Sequence, residues 1–319
     1  MNLFHLNSGI FPIISNLAIE DVSELIIDGF QGQNNLVNIE IKNVVLSELN
    51  EDSFKDIKSL EKLTFQNVSI YTLHTGSLHI LSNMSKLVVK FLNCKIDTVQ
   101  SESISMQVMK LEIINSVINV INSDGFNVSA VDGVDIINST FGSIISPESF
   151  KFRSNKINII ENEFKSLPSS LLRDVHVTND KKINFVGNII HDIDLGGFLL
   201  YSKTNKLNFS KNKIICDCTP RKTSILRLRE LFPGLLTNET NFDAIIENNS
   251  CKNYNGIHLS EFKRTFLSGL ICNDTDALIE QSSTSWQRTT ENLDTKNNSY
   301  LLTAYFNFIF VCISLNIYF

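Results

Sequence analysis

The residues best equipped for chemistry are cysteines. The chain has six, and four of them, Cys216, Cys218, Cys251 and Cys272, gather toward its C-terminal end. Four thiols can close two disulfides, and the sequence alone allows three pairings. They could instead hold zinc, but zinc sites usually use two close pairs separated by two to four residues, and Cys251 and Cys272 stand far apart. Cys94 stands apart from the other cysteines, at the inward polar position of its repeat, so it is expected in the core and not as a nucleophile. His5, His74, His79, His176, His191 and His258 are scattered and match no metal or triad spacing. Asp192 and Asp194 flank Ile193 as solvated positions, and Gly196-Gly197 reads as a turn with no phosphate loop around it. These side chains point to no catalytic residue, no metal and no cofactor.

The elements that place the cysteines are repeats. The template is apolar-x-apolar, then Asn, Cys or Ser three places on, then further apolar residues. It fits units starting at Ile39, Leu63, Val89, Leu111, Val134, Phe150, Ile183 and Leu207, most of them roughly 22 to 26 residues apart. The start at Phe150 makes one interval short and the next long. In that alignment Asn155 takes the Asn position, Val175 and Val177 form an extra strand, and Leu25-x-Ile27 is an earlier, damaged unit. Apolar-x-apolar is a short strand with both apolar side chains pointing inward. The Asn position suits a small polar side chain that bonds the neighbouring backbone as the chain bends. One unit cannot bury its own face, so the units must stack. Phe54, Phe126, Phe164 and Phe198 are expected to stack as a spine on the return side.

The last unit, Leu207-x-Phe209-x-x-Asn212-x-Ile214, runs into Cys216-Asp217-Cys218. This junction resembles the end of an extracellular leucine-rich-repeat protein with a cysteine-rich C-terminal cap, of the insect-type cell-surface kind. The resemblance implies an α/β solenoid: an irregular arc with a parallel β-sheet on the concave face and a disulfide-bonded helical cap. It also implies the pairings Cys216–Cys251 and Cys218–Cys272. The cap lacks the family's usual Trp and Pro. Ser224–Phe232 and His258–Leu270 have the apolar spacing of short helices within it. The corresponding division is 1–24 N-terminal segment, 25–215 repeats, 216–275 cap, 276–299 polar stalk and 300–319 hydrophobic tail. The rival architecture is a parallel β-helix, whose coils have similar length and can carry carbohydrate-active enzymes.

Asn-x-Ser/Thr triplets begin at Asn67, Asn83, Asn127, Asn138, Asn208, Asn238, Asn248, Asn273 and Asn297. With a disulfide module they point to the secretory route. The stretch Met1–Ala18 has no Lys or Arg and is interrupted by polar residues, unlike a signal peptide. Tyr300–Phe319 is uncharged and apolar, long enough as a helix to cross a bilayer core. Small residues and a polar spacer precede it, the order of a lipid-anchor signal, with Ser283 as the attachment site; a single span and a buried helix are the alternatives. The net charge of −6 argues against a nucleic-acid partner.

Within the repeats, the residue between the paired apolar positions faces the concave side. That column reads Glu40, Thr64, Lys90, Glu112, Asp135, Lys151, Asn184 and Asn208, and the next reads Lys42, Gln66, Leu92, Ile114, Ile137, Arg153, Val186 and Ser210. Leu92, Ile114 and Ile137, beside Lys90, Glu112 and Asp135, are therefore the expected ligand-binding residues. The resemblance implies a non-enzymatic recognition protein on the extracellular face of the plasma membrane, held by its tail or lipid anchor and binding a protein ligand or co-receptor. A secreted innate-immune recognition protein is the neighbouring expectation.

Overall fold

The structure, a computed structural model, describes residues 3–6, 14–30, 33–55, 57–80, 86–168, 171–178, 182–194, 206–217 and 245–267. All lie in one compact unit, Met1–Ile271; a second unit, Cys272–Phe319, lies outside the described residues. Apolar-x-apolar alternation does form strands, and they stack in parallel as a β-solenoid. Among the described residues, the first face holds nine strands: Asn16–Glu20, Asn38–Lys42, Lys62–Gln66, Val88–Leu92, the C-terminal halves of Ile104–Ile114 and Phe126–Ile137, Ile157–Ile160, Lys182–Val186 and Lys206–Ser210. The second face runs, among the described residues, through eleven strands from Leu3–Leu6 to Ser250–Cys251. A third, shorter face joins Leu78–Ile80, the N-terminal halves of the two long strands, Phe150–Ser154 and Val175–Val177. In its middle rungs the coil is thus three-sided.

The corner between the first and second faces sets the sequence pattern. Asp21, Asn43, Asn67, Asn93, Asn115, Asn138, Glu161, Gly187 and Lys211 occupy it in successive rungs, all with φ between 50° and 71°. This left-handed conformation favours Gly, Asn and Asp over other residues. The backbone N–H of each donates to the next rung, as in Asn93 to Ile114 and Asn115 to Ile137, both 3.0 Å. The following residue turns inward, and there the predicted polar ladder forms. Backbone N–H groups of Ser139, Asn162, Asn188 and Asn212 donate to the side-chain oxygens of Asn162, Asn188, Asn212 and Asn249, at 2.8–2.9 Å. The Asn side chains in turn donate Nδ2–H to carbonyls such as Ile136, Ile159 and Phe185. Buried backbone groups at the bend are satisfied without water.

The register differs from the sequence alignment at one unit. Ile157-x-Ile159 is the first-face strand, paired with Val134–Ile137 and with Ile183–Val186. Asn162, not Asn155, takes the ladder position. Phe150–Ser154 pairs with Phe126–Ala130 on the third face, where Val175–Val177 extends it. The aberrant intervals vanish, because Phe150-x-Phe152 and Ile157-x-Ile159 both satisfy the apolar-x-apolar rule and only pairing distinguishes them. Upstream, Leu17 and Ile19 form the earlier first-face strand, and Leu25-x-Ile27 lies on the second face. The coil therefore extends upstream of residue 25.

The core is close-packed Ile, Leu, Val and Phe, most of it fully buried. The phenylalanines do not form the expected single spine. Phe30, Phe54, Phe65 and Phe91 make one chain of ring contacts, at 5.0–6.5 Å between centroids. Phe126, Phe150 and Phe141 lead into a second, Phe164, Phe185 and Phe209, with successive centroids 5.0–5.3 Å apart. Phe164 sits on the second face and Phe126 on the third, so they cannot be one column; Phe198 lies outside the described residues.

At the downstream end, Asn249 supplies one more ladder residue and Ser250–Cys251 one more second-face strand. Part of the predicted cap therefore continues the coil. Cys216 and Cys251 are disulfide-bonded, as the resemblance implied, with Cα atoms 5.4 Å apart. The bridge ties the last rung to the one before it. Helix α1, Leu259–Leu267, follows within the predicted span His258–Leu270, burying Leu259 and Phe262, with Phe262 against Tyr254. Cys218, Cys272 and the predicted helix at 224–232 lie outside the described residues.

Candidate binding face

The parallel register aligns the outward side chains of the first face into columns. The central column is Glu40, Thr64, Lys90, Glu112, Asp135, Asn158, Asn184 and Asn208. The outer column is Lys42, Gln66, Leu92, Ile114, Ile137, Ile160, Val186 and Ser210. Lys151 and Arg153, expected in these columns, stand on the third face because their strand pairs with Phe126–Ala130. Asn158 and Ile160 take their places. The structure brings Leu92, Ile114 and Ile137 together as expected, and extends them through Ile160 and Val186 into a five-rung apolar ladder. All five are half-buried and stand in register on successive rungs.

Beside this ladder the upstream charges neutralise one another. Lys90 Nζ lies 2.6 Å from Glu112 Oε2, and Lys110 Nζ lies 2.6 Å from Glu112 Oε1 and 2.8 Å from Asp135 Oδ2. Asn158 Nδ2 donates to Asp135 Oδ1 at 2.6 Å. Burial pushes the Glu112 carboxyl up, but its bonds to Lys110 and Lys90 outweigh this and hold it below the usual carboxylate range. Hydrogen bonds to Asp135 and Glu112 hold the Lys110 ammonium above its ordinary value. Lys90, Glu112 and Asp135 thus form one network with Lys110, a partner the repeat alignment had not singled out. Its signal was the Lys-x-Glu spacing of Lys110 and Glu112, two places apart on one face of a strand.

The glycosylation triplets separate by position. Asn67, Asn127, Asn138 and Asn248 are exposed, whereas Asn208 is half-buried on the first face with Nδ2 donating to Asn184 Oδ1 at 3.3 Å. Asn67 and Asn138 are left-handed corner residues whose amides donate to Asn43 and Asn115 of the preceding rungs, at 3.0 and 2.8 Å. Their triplets have a structural origin as well: Asn suits the corner, and the residue two places on opens the second-face strand. Asn83, Asn238, Asn273, Asn297 and the proposed attachment residue Ser283 lie outside the described residues.

Cys94 is a buried, free thiol in the ladder position, bonded to the carbonyl of Phe65, and burial pushes its pKa up to about 11. It remains a protonated thiol at neutral pH. Among the described residues, no helix is long and apolar enough to cross a membrane; the tail at 300–319 lies outside them. The chain matches no protein-family model and no curated protein.

Proposed function

We propose that the chain is a recognition module of the extracellular leucine-rich-repeat type, which binds a protein ligand or co-receptor on its first face. The observation that carries this reading is the apolar ladder Leu92–Ile114–Ile137–Ile160–Val186, five aligned side chains left half-exposed beside a neutralised charge network. An aligned apolar strip rimmed by paired charges suits a desolvated protein contact. The Cys216–Cys251 bridge accords with an oxidising, extracellular setting. In this reading the tail at 300–319 is a lipid-anchor signal, tested by whether a phosphatidylinositol-specific phospholipase releases the protein from cells. Retention on the membrane with the tail intact refutes the anchor.

The ladder is tested by replacing Ile137 and Ile160 with Asp and screening the ectodomain against cell-surface proteins. The expected outcome is loss of a binding partner, at least tenfold in Kd, with the unfolding midpoint retained. A partner bound equally by the double variant refutes the reading. A second reading, a β-helix carbohydrate-active enzyme, draws support from the third strand face of the middle rungs. On the first face, however, Glu112 and Asp135 are each bound to lysine, which opposes their use as a bare acid–base pair. Release of reducing ends from a polysaccharide panel, abolished by Glu112→Gln, would favour the enzyme.

A further inference from the structure

Three successive rungs beyond Asp135 repeat one motif: Lys156-Ile157-Asn158-Ile159-Ile160, Lys182-Ile183-Asn184-Phe185-Val186 and Lys206-Leu207-Asn208-Phe209-Ser210. Their parallel register sets Asn158, Asn184 and Asn208 in one column and Lys182 beside Lys206, with Lys156 one residue before the rung that pairs with Ile183. From these placements we infer that the downstream rungs of the first face bind a linear anionic polysaccharide, one bearing sulfate or carboxylate groups along its length. The inference stands apart from the protein-binding reading, which uses the outer apolar column.

Charge distinguishes these rungs from those upstream. There Lys42 is paired with Glu20 and Glu40, and Lys90 and Lys110 with Glu112 and Asp135. None of the three Lys-x-Asn strand segments contains a carboxylate. Lys156 and Lys182 are exposed, and the outward residues of their own rungs are Asn158, Ile160, Asn184 and Val186; Asp135, on the rung paired with that of Lys156, is bound to Lys110. Rungs recur about every 4.8 Å, so the lysine column offers a periodic line of positive positions to an extended polyanion. Lys62 stands in the same column upstream but between Asn38 and Val88, without a basic neighbour.

The amide column adds recognition of hydroxyl groups. Asn184 donates to Asn158 Oδ1 at 2.9 Å, and Asn158 donates to Asp135. Asn158 is buried, whereas the partly exposed Asn184 uses one N–H and one lone pair along the ladder, leaving a donor and an acceptor for a ligand. Among the described residues of these strands, the aromatic side chains are Phe185 and Phe209, both inward and buried. A single-stranded nucleic acid would need aromatic platforms on the face for its bases, whereas a polysaccharide needs charge and hydrogen bonds.

The test measures binding of the full chain to heparin, to polygalacturonate, to neutral dextran and to oligo-dT. A Ser210→Ala background removes the triplet at Asn208, so that no glycan covers the stripe. Lys156→Glu/Lys182→Glu is expected to weaken binding to heparin or polygalacturonate at least tenfold, with affinity also falling as salt rises. Lys62→Glu is expected to change it less than twofold. Heparin alone identifies a sulfated ligand; polygalacturonate alone identifies a carboxylated one. Lys156→Gln/Lys182→Gln repeats the measurement without introducing negative charge. Four results overturn the inference: binding to neither polyanion, equal loss in Lys62→Glu, equal binding of dextran, or tighter binding of oligo-dT. Because Ile137 and Ile160 are untouched, a lost protein partner and a lost polysaccharide are read separately.

Discussion

At the corner where the first face turns into the second, Val44 and Val68 fill the interior of the upstream rungs, whereas Asn162, Asn188, Asn212 and Asn249 fill the same place downstream. Outside the corner the arrangement reverses. Upstream, amides of Asn43 and Asn67 donate across successive rungs; downstream, the left-handed residues are Glu161, Gly187 and Lys211. Amide ladders thus run on the solvent side of the upstream corner and on the core side of the downstream one, with Cys94, Ser116 and Ser139 between. A shielded ladder is stronger and less tolerant of loss than a solvated one, because water cannot replace a missing partner. The two halves share a backbone path but differ in where their polar specificity lies.

The sharpest way to break this comparison is to remove one amide from each side. Asn188→Leu leaves the Asn162 backbone N–H and the Ile159 carbonyl without their partner, both in the interior. At about 1–3 kcal/mol per unsatisfied group, the expected loss is about 3–5 kcal/mol by denaturant unfolding. Asn67→Gly removes an exposed ladder amide while keeping a residue suited to its φ of 54°, and should cost under about 1 kcal/mol. Equal losses would show that the side of the corner is irrelevant.

Next in size is the bridge that ties the downstream end. Cys216 and Cys251 are separated by 35 positions, and opening a loop of that length costs roughly 4 kcal/mol in the chain-entropy treatment. Cys216→Ser/Cys251→Ser should lower the unfolding midpoint accordingly; an unchanged midpoint would mean that the coil is held at this end by the Asn ladder alone.

A smaller effect belongs to the upstream charges. The Glu112 carboxyl is held low in the folded protein, so its contribution is present above the ordinary carboxylate pKa and is lost as pH falls through the folded value. Glu112→Gln should cost about 1 kcal/mol at neutral pH and flatten stability against pH in the acid range. An unchanged acid profile would remove the network from the account. Smallest of all, Lys156→Ala should stay within about 0.5 kcal/mol of the parent, which is what lets the stripe be tested for binding without disturbing the fold.

Much of this was legible in the chain itself. The pairing Cys216–Cys251 was implied only by the resemblance, since spacing left three pairings open, whereas the apolar-x-apolar pairs and the inward Asn position follow from residue types at a recurring spacing. So does the corner, in retrospect: Asn43, Asn67, Asn93, Asn115 and Asn138 recur just before the ladder position, and five such residues in register mark a left-handed bend. The candidate face was legible in part, because Leu92, Ile114 and Ile137 already share one template position.

What the amino-acid sequence by itself determined was the period, the inward and outward sides of each strand and the residues able to turn the corner, since these are local properties of a pleated chain. Only the tertiary structure settled which of two equally apolar segments, Phe150–Ser154 or Ile157–Ile160, stands on the first face. Both satisfy the same local rule, and only partners on neighbouring rungs tell them apart. That choice puts Ile160 beside Ile137 and Asn158 beside Asp135, lengthens the apolar ladder to five rungs, and places the lysine–asparagine motifs on one continuous face.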